Sequence, residues 1–396
     1  MPFDSTTAAF PPPAAVLRRI AWITPEFPPD RGGVSDHSST IVSELRAVGH
    51  QVLVCSRPHE RGFAHLDAEL TAYAPDLVIL AYTPLGYAPN TAGIAPALVI
   101  WAMRLRKRLA CQAILLAHET SLAAGYLWQN RQFKLAALGM TQIAQFALLA
   151  ASFDSVVFSN VGAQRAWSRL APRLSKRFHA IRICSNIPYR PSANPRADLE
   201  ALGYEVPGPT VLFFGTGHEA VRFDYLEHAF RALLEVEPDT RLVIVGMNSE
   251  KLRQVRPTLA GLGSRVQALG YVAAPHVSLW LQVARLVLAP LIEGVSARKG
   301  TVMAALQHGQ AVVTTRGTNT LDDIAWGEIC LLAPSDREAF TATAVEAFRD
   351  PKLCSAIGRS ALAEYATHAS AAVTALHLLA HTTAWPSEGP PPPSTP

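Results

Sequence analysis

The chain has 396 residues, 49% hydrophobic and 17% charged. At roughly 100–200 residues per domain that is room for two domains, and a charged fraction below the ~25% of an average soluble domain excludes disorder for the bulk of the chain. Lys and Arg total 35 against 31 Asp and Glu, a net charge of +4 that is too small for a dedicated nucleic-acid binder. The cysteines, Cys55, Cys111, Cys184, Cys330 and Cys354, lie far apart with no Cys-x-x-Cys pair. That argues against a disulfide framework or a zinc knuckle and fits a reducing cytoplasm.

Residues 1–17 carry a triple proline and no continuous apolar run, so they read as a disordered tail and not as a signal peptide. The first strand is Ile20–Thr24. After a Pro/Gly loop, Val34, Ile41, Val42, Leu45 and Val48 fall at helical spacing, and Gln51–Cys55 is the next strand. Strands follow at Asp76–Ala81, Cys111–Ala117, Ser155–Phe158 and Phe178–Ile183. The uncharged stretch Leu135–Phe153 reads as a buried helix and not as a membrane span, since Thr141, Gln142, Gln145 and Ser152 interrupt it. A second series runs through Thr210–Gly215, Arg241–Val245, Val266–Leu269, Leu286–Ala289, Ala311–Thr315 and Ile329–Leu332. Short apolar strands separated by helices mean parallel sheets covered on both faces. The expected layout is an N-terminal domain at 18–187, a Pro/Asn-rich linker at 188–209 and a second domain at 210–365. A C-terminal helix and Pro-rich tail at 366–396 close the chain. Ligand then belongs at the C-terminal ends of the strands, between the domains.

Four loops carry candidate chemistry. Gly32-Gly33, between the first strand and first helix, allows positive φ and close approach of a phosphate to a helix N-terminus. His118 stands at the C-terminal tip of a central strand, with Glu119 beside it. The loop Glu293 to Thr301 gathers a carboxylate, Ser296, Arg298, Lys299 and Gly300 at a helix start. Cations are unfavourable there unless an anion is bound. Gly215 to Ala220 is a weak match to a dinucleotide fingerprint, with no acidic residue at the tip of the next strand. Asp-x-Asp, Walker, Gly-x-Ser-x-Gly and His-Glu-x-x-His motifs do not occur, and Asp322-Asp323 reads as helix-capping charge. The segment Ile94 to Leu109 mixes Leu98, Trp101, Met103 and Leu105 with four basic residues. It suits either weak contact with an anionic membrane or packing onto the first sheet.

Taken in order, ITPEFPPDRGGVSDHSSTIVSELRAVGHQVLVCS, AILLAHE, VLFFG with FDYLEHAF, RLVIVG, LGYV, LVLAP, EGVSARKGTVMAALQHGQAVVTTRG and LLAPSDREAF resemble the retaining glycosyltransferases of family 4. The resemblance implies the GT-B fold, two doubly wound Rossmann-like domains facing across a cleft. It also implies a hexosyltransferase that moves sugar from a nucleotide diphosphate donor to a glycan or lipid-linked acceptor, with no metal. By that resemblance His118 contacts the donor sugar and Glu293 is the first of two family glutamates. Gly32, Gly33, Arg222, Ser296, Arg298, Lys299, Gly300 and Thr301 would bind the donor. The family's Arg after the VLFFG-type strand and Lys five residues on are replaced by Thr216 and Val221, with Arg222 adjacent. The second glutamate is missing, since Thr301 stands at one count and Ala304 at the other. A catalytically inactive nucleotide- or glycan-binding protein, and less so a nucleotide-sugar hydrolase or epimerase, are the alternatives. The protein is expected in the cytoplasm, with peripheral contact at the membrane's inner face as an option.

Overall fold

The structure, a computed structural model, describes residues 17–382 except 31, 89–91, 122–132, 207 and 218–219. The expected tails at 1–16 and 383–396 lie outside the described residues. So does the middle of the Gly215–Ala220 fingerprint.

Each strand series forms one sheet. The first holds β1 (Arg19–Thr24), β2 (Gln51–Ser56), β3 (Leu77–Tyr82), β4 (Gln112–Ala117), β5 (Ser155–Phe158) and β6 (Phe178–Ala180), in the order β2-β1-β3-β4-β5-β6. The second holds β7 (Thr210–Phe214), β8 (Arg241–Val245), β9 (Val266–Gly270), β10 (Ala284–Ala289), β11 (Val312–Thr315) and β12 (Leu331–Ala333), in the order β12-β11-β10-β7-β8-β9. Every pairing is parallel. The two doubly wound Rossmann-like domains are therefore present. Chain order reverses between β1 and β3 in one sheet and between β7 and β10 in the other, which are the two places where such sheets open a crevice.

Alternate residues of each strand fill opposite faces. In β1, Ile20 and Trp22 join one core cluster while Ala21 and Ile23 join another. In β7, Leu212 lies on one side and Val211 and Phe213 on the other. Both faces being apolar, the strands read as continuous hydrophobic runs.

Most strand bounds differ from the sequence reading by one residue or none, and three differ by more. β6 ends at Ala180 and not at Ile183, because the chain leaves the sheet after Ile181 to cross to the second domain. β12 begins at Leu331, because Trp326–Ile329 forms a helical turn that buries Trp326 and Ile329. β10 begins earlier, at Ala284. Asp322 and Asp323 cap no helix: the turn at Trp326–Ile329 follows Ala325 with no side-chain cap.

The helix Phe133–Ser152 is buried as expected, with Phe146, Leu149 and Ala150 in the core. Gln145 Nε2 donates to the Tyr82 hydroxyl at 3.0 Å, which satisfies its amide inside that core. Among the described residues no helix is long and apolar enough to cross a membrane. Of the segment with membrane character, Leu98, Trp101 and Leu105 are core residues of the helix Pro96–Arg108, while Met103 is exposed. Trp101 Nε1 donates to Asp67 at 2.8 Å, and Arg108 pairs with the same carboxylate. The packing alternative therefore accounts for its aromatic and leucine residues. All five cysteines are free.

Domain membership departs from a simple division. Residues 188–209, read as a linker, include the helix Pro195–Ala201, and they place Leu199 and Val206 in the second domain's core. The boundary at 365 falls inside the helix Pro351–His368. The last helix, Ala371–Ala380, returns to the first domain, where Ala375 and Leu378 pack with Ile20, Trp22 and Ile41. Thr374 Oγ1 also donates to the Arg182 carbonyl at 3.3 Å. Leu378→Ala is expected to cost ~2–5 kcal/mol of stability through the cavity it leaves. Urea unfolding would measure this, and a loss under half a kilocalorie would mean the helix is not part of that core.

Candidate active site

At the second domain's switch point, two loops are stitched together. Arg222 N–H donates to the Pro290 carbonyl at 2.9 Å and Ile292 N–H to Ala220 at 2.9 Å. A third loop, after β11, packs against them. Leu291 N–H donates to Thr315 Oγ1 at 2.9 Å, and Val295 N–H donates to the Thr315 carbonyl at 3.0 Å. Gly294 has φ +80°, and a Cβ on it would lie 2.2 Å from the Gly317 nitrogen, so the two backbones touch and only glycine fits.

This packing fixes Glu293. Its Oε2 accepts from Asn319 Nδ2 at 2.6 Å, and its carbonyl accepts from Asn319 N–H at 2.8 Å. Past it, Lys299 N–H donates to the Ser296 carbonyl at 3.0 Å, and the helix Gly300–Gln307 starts with no side-chain cap. The leading N–H groups of that helix are open to an anion. Lys299 is half-buried, and burial lowers its pKa despite the opposing charge of Glu293. Arg222 sits on the adjoining loop over the Tyr225 ring, 4.9 Å from its centroid, and its buried Nε has no partner. Of the two places for a second glutamate, Ala304 is fully buried in the core, where a carboxylate would be desolvated. Thr301 is half-buried in the helix's first turn.

The first domain supplies the facing wall. Gly32-Gly33 does not use the positive φ expected of it: Gly32 lies at φ 167°, ordinary extended backbone, and Gly33 begins the helix Gly33–Ala47. Glycine serves space here. A Cβ on Gly32 would approach the Glu26 carboxylate to 2.5 Å, while nothing lies within 4 Å of one on Gly33. This helix too begins without a side-chain cap.

His118 is held by its backbone, its N–H donating to the Tyr82 carbonyl at 3.0 Å and its carbonyl accepting from Ser159 Oγ at 2.9 Å. Its ring meets that of His37 edge-on, with centroids 5.0 Å apart. His118 Nε2 and both nitrogens of His37 are buried without partners. Burial pushes the His37 pKa down to about 4. Burial, then His37, then Arg298 hold His118 well below its ordinary value. Both rings are therefore neutral, suited to exchanging hydrogen bonds with hydroxyl groups. Glu119 turns to the other domain and accepts from Arg298 Nη2 at 3.1 Å. Across the cleft, Arg298 thus reaches the residue that follows His118 in the chain. His37 and Asn319 escaped the sequence reading. For His37 a signal existed, since it follows Gly33 by four residues and shares the face of that helix's open first turn.

Two facing parallel domains with the site at their switch points define a GT-B protein. Residues 208–350, which hold the whole second sheet, match the family model described as Glycosyl transferases group 1. No curated protein matches the chain in sequence. Among solved structures, sucrose-phosphate synthase from Thermosynechococcus elongatus is similar at 16% identity with a TM-score of 0.66, over 92% of this chain and 98% of that one. WaaG, a glycosyltransferase involved in lipopolysaccharide biosynthesis, is similar at 16% identity and TM-score 0.62, over 91% and 98%. Anabaena HepE in complex with UDP and glucose is similar at 14% identity and TM-score 0.64, over 92% and 98%. These likenesses carry the fold.

The neutral histidines set a pH dependence. In the unfolded chain each takes up a proton near 6.5, while folded His37 does so only at about 4. The unfolded state therefore binds more protons between those values, and stability falls as pH falls through that window. His37→Phe should bring the denaturation midpoints at pH 7 and pH 5 closer together than in the wild type. An unchanged gap would show that His37 is not held neutral.

Proposed function

We propose that the protein is a retaining glycosyltransferase that moves a hexose from a nucleotide diphosphate sugar to a hydroxyl of a glycan or lipid-linked acceptor. The observation that carries this is the meeting of the two domains' loop edges at Arg298 and Glu119, 3.1 Å apart, which sets the cationic loop opposite His118. The diphosphate would lie against Arg298, Lys299 and the uncapped start of the helix Gly300–Gln307, with Arg222, Ser296 and Thr301 close by in the fold. Gly32 and Gly33 would border it from the first domain, and His118 would hold a hydroxyl of the sugar. Solved complexes of HepE with UDP and UDP-glucose support a uridine nucleotide as the first donor to try.

In the reaction the acceptor oxygen bonds to the anomeric carbon as that carbon's bond to the diphosphate oxygen breaks. The acceptor proton leaves with the nucleoside diphosphate, on the same face of the sugar. The protein's part is to stabilise negative charge growing on the leaving group, and fixed cations and N–H dipoles do this without reorganising. Glu293, pinned by Asn319, would accept from a sugar hydroxyl. The scheme asks for no metal. A reducing cytoplasm remains the proposed location, consistent with five free cysteines.

A panel of UDP-, GDP- and ADP-sugars, with and without glycan acceptors, tests the reading through nucleotide release. A transferase needs acceptor for full turnover; a hydrolase does not. The lack of a carboxylate at both Thr301 and Ala304 favours an inactive binder as the second reading, and that protein would release nothing. Replacing Arg298 and Lys299 together by Ala should weaken nucleotide diphosphate binding by ~2–5 kcal/mol, since each would make charge-assisted hydrogen bonds to the diphosphate. Unchanged affinity in calorimetry would reduce the loop to a solvated turn. His118→Ala should lower turnover far more than nucleotide affinity; normal turnover would make His118 structural.

A further inference from the structure

Between Asp154 and Asp198 the chain has no acidic residue and eight Arg and Lys, so this stretch alone carries more positive charge than the net +4 of the whole protein. Four of the arginines, Arg165, Arg169, Arg173 and Arg177, recur at every fourth position. The stretch crosses from β5 to β6, the edge strand of the first sheet, through the helix Val161–Leu170 and a short helical turn at Ser175–Arg177. Trp167 holds the helix to the core, its ring centroid 4.6 Å from that of Phe146, so the other face turns to solvent. On that face Arg165 and Arg169 stand one turn apart, roughly 6 Å along the axis. Arg173, Lys176 and Arg177 continue, exposed, beyond the helix. Among the described residues none of these five forms an ion pair, whereas Arg182, the next cation, is taken by Glu364. Like charges this close repel, and an extended anion lying along them offsets that.

The line of cations starts at the cleft. Asn160, Val161 and Gly162 border the space between the domains together with Ser296 and Arg298, and a Cβ on Gly162 would lie 3.2 Å from Leu321 of the second domain. A parallel crossover must return to the start of its sheet, so from there the helix runs roughly 15 Å back along the first domain, away from the donor loop.

Three kinds of polyanion could lie along it. A lipid surface asks for apolar side chains beside the cations, and between 155 and 180 Leu170 is the one large apolar side chain exposed. A nucleic acid single strand asks for aromatic rings to stack its bases, and Phe158, Trp167 and Phe178 are all buried. An acidic glycan asks for neither. It carries carboxylates at regular intervals, and a planar guanidinium pairs a carboxylate through two N–H groups.

We propose that this face of the first domain is a track for an acidic glycan, a chain bearing uronate carboxylates that lies along the four arginines outside the cleft. That occupant rests on the glycan acceptor proposed above and makes it an anionic one.

Calorimetry on the whole protein, with and without UDP, tests this with hexagalacturonate and, as the neutral chain of equal length, maltohexaose. Hexagalacturonate is expected to bind more tightly than maltohexaose, and to weaken as salt screens the surface. The combined variant Arg165→Gln, Arg169→Gln, Arg173→Gln and Arg177→Gln should lose about tenfold or more of that affinity, since each exposed pair gives only a few-fold. The four side chains are exposed, so its urea midpoint should stay as in the wild type. Changing the same four to Lys should restore part of the binding, because the charge returns without the fork. The track is overturned if maltohexaose binds as well, or if the Gln variant binds hexagalacturonate as the wild type does. It is overturned too if phosphatidylglycerol vesicles or a six-residue oligouridylate are captured through the four arginines in preference to hexagalacturonate. UDP binding without hexagalacturonate binding overturns the track alone. Arginine-dependent hexagalacturonate binding, in a protein that binds neither UDP, GDP nor ADP, supports the track and overturns the donor reading.

Discussion

Parallel pairing is the constraint from which the rest of the structure follows. Because every strand in a sheet runs the same way, each chain reversal needs a helix, and all loops that follow strands gather at one edge. Two such sheets present their loop edges to each other, and the reversal of strand order between β1 and β3 and between β7 and β10 opens a gap in each edge. The loop holding Glu293, Arg298 and Lys299 stands at one gap. The loop holding Gly32 and Gly33 stands at the other, two strands from His118.

Within that frame, electrostatics divides the site into two kinds of surface. The second domain offers cations and uncapped helix N–H groups, whereas the first offers two imidazoles kept neutral by burial. The cationic surface is suited to a charged diphosphate and the neutral one to uncharged hydroxyls. Each kind of group depends on its setting. Lys299 can stay half-buried because Glu293 opposes the loss of its charge, and Glu293 stays in place because Asn319 holds it from both backbone and side chain.

The strands were legible because burial on both faces turns them into unbroken apolar runs, and all twelve appear in the structure. Their ends were less so. The step from Ile181 out of the first sheet depends on where the second domain lies, which local sequence does not record. The site residues His118, Glu293 and Arg298 could be picked out because each follows a strand, where chemistry collects in this architecture. Their mutual arrangement could not, since Arg298 and Glu119 are separated by 179 residues. Nothing in the local sequence fixes which way Glu119, beside His118, turns. Only the docking of the domains decides that it meets Arg298.

The return of the helix Ala371–Ala380 to the first sheet bears on how the chain is made. Its Leu378 packs with Ile20, Trp22 and Ile41, residues from the opposite end of the sequence. During synthesis β1 and the helix Gly33–Ala47 leave the ribosome long before the helix that covers them. The domain that emerges first is therefore closed after the second, and until the helix Ala371–Ala380 has been made one apolar face of its sheet lacks its final layer and must be kept from other nascent chains.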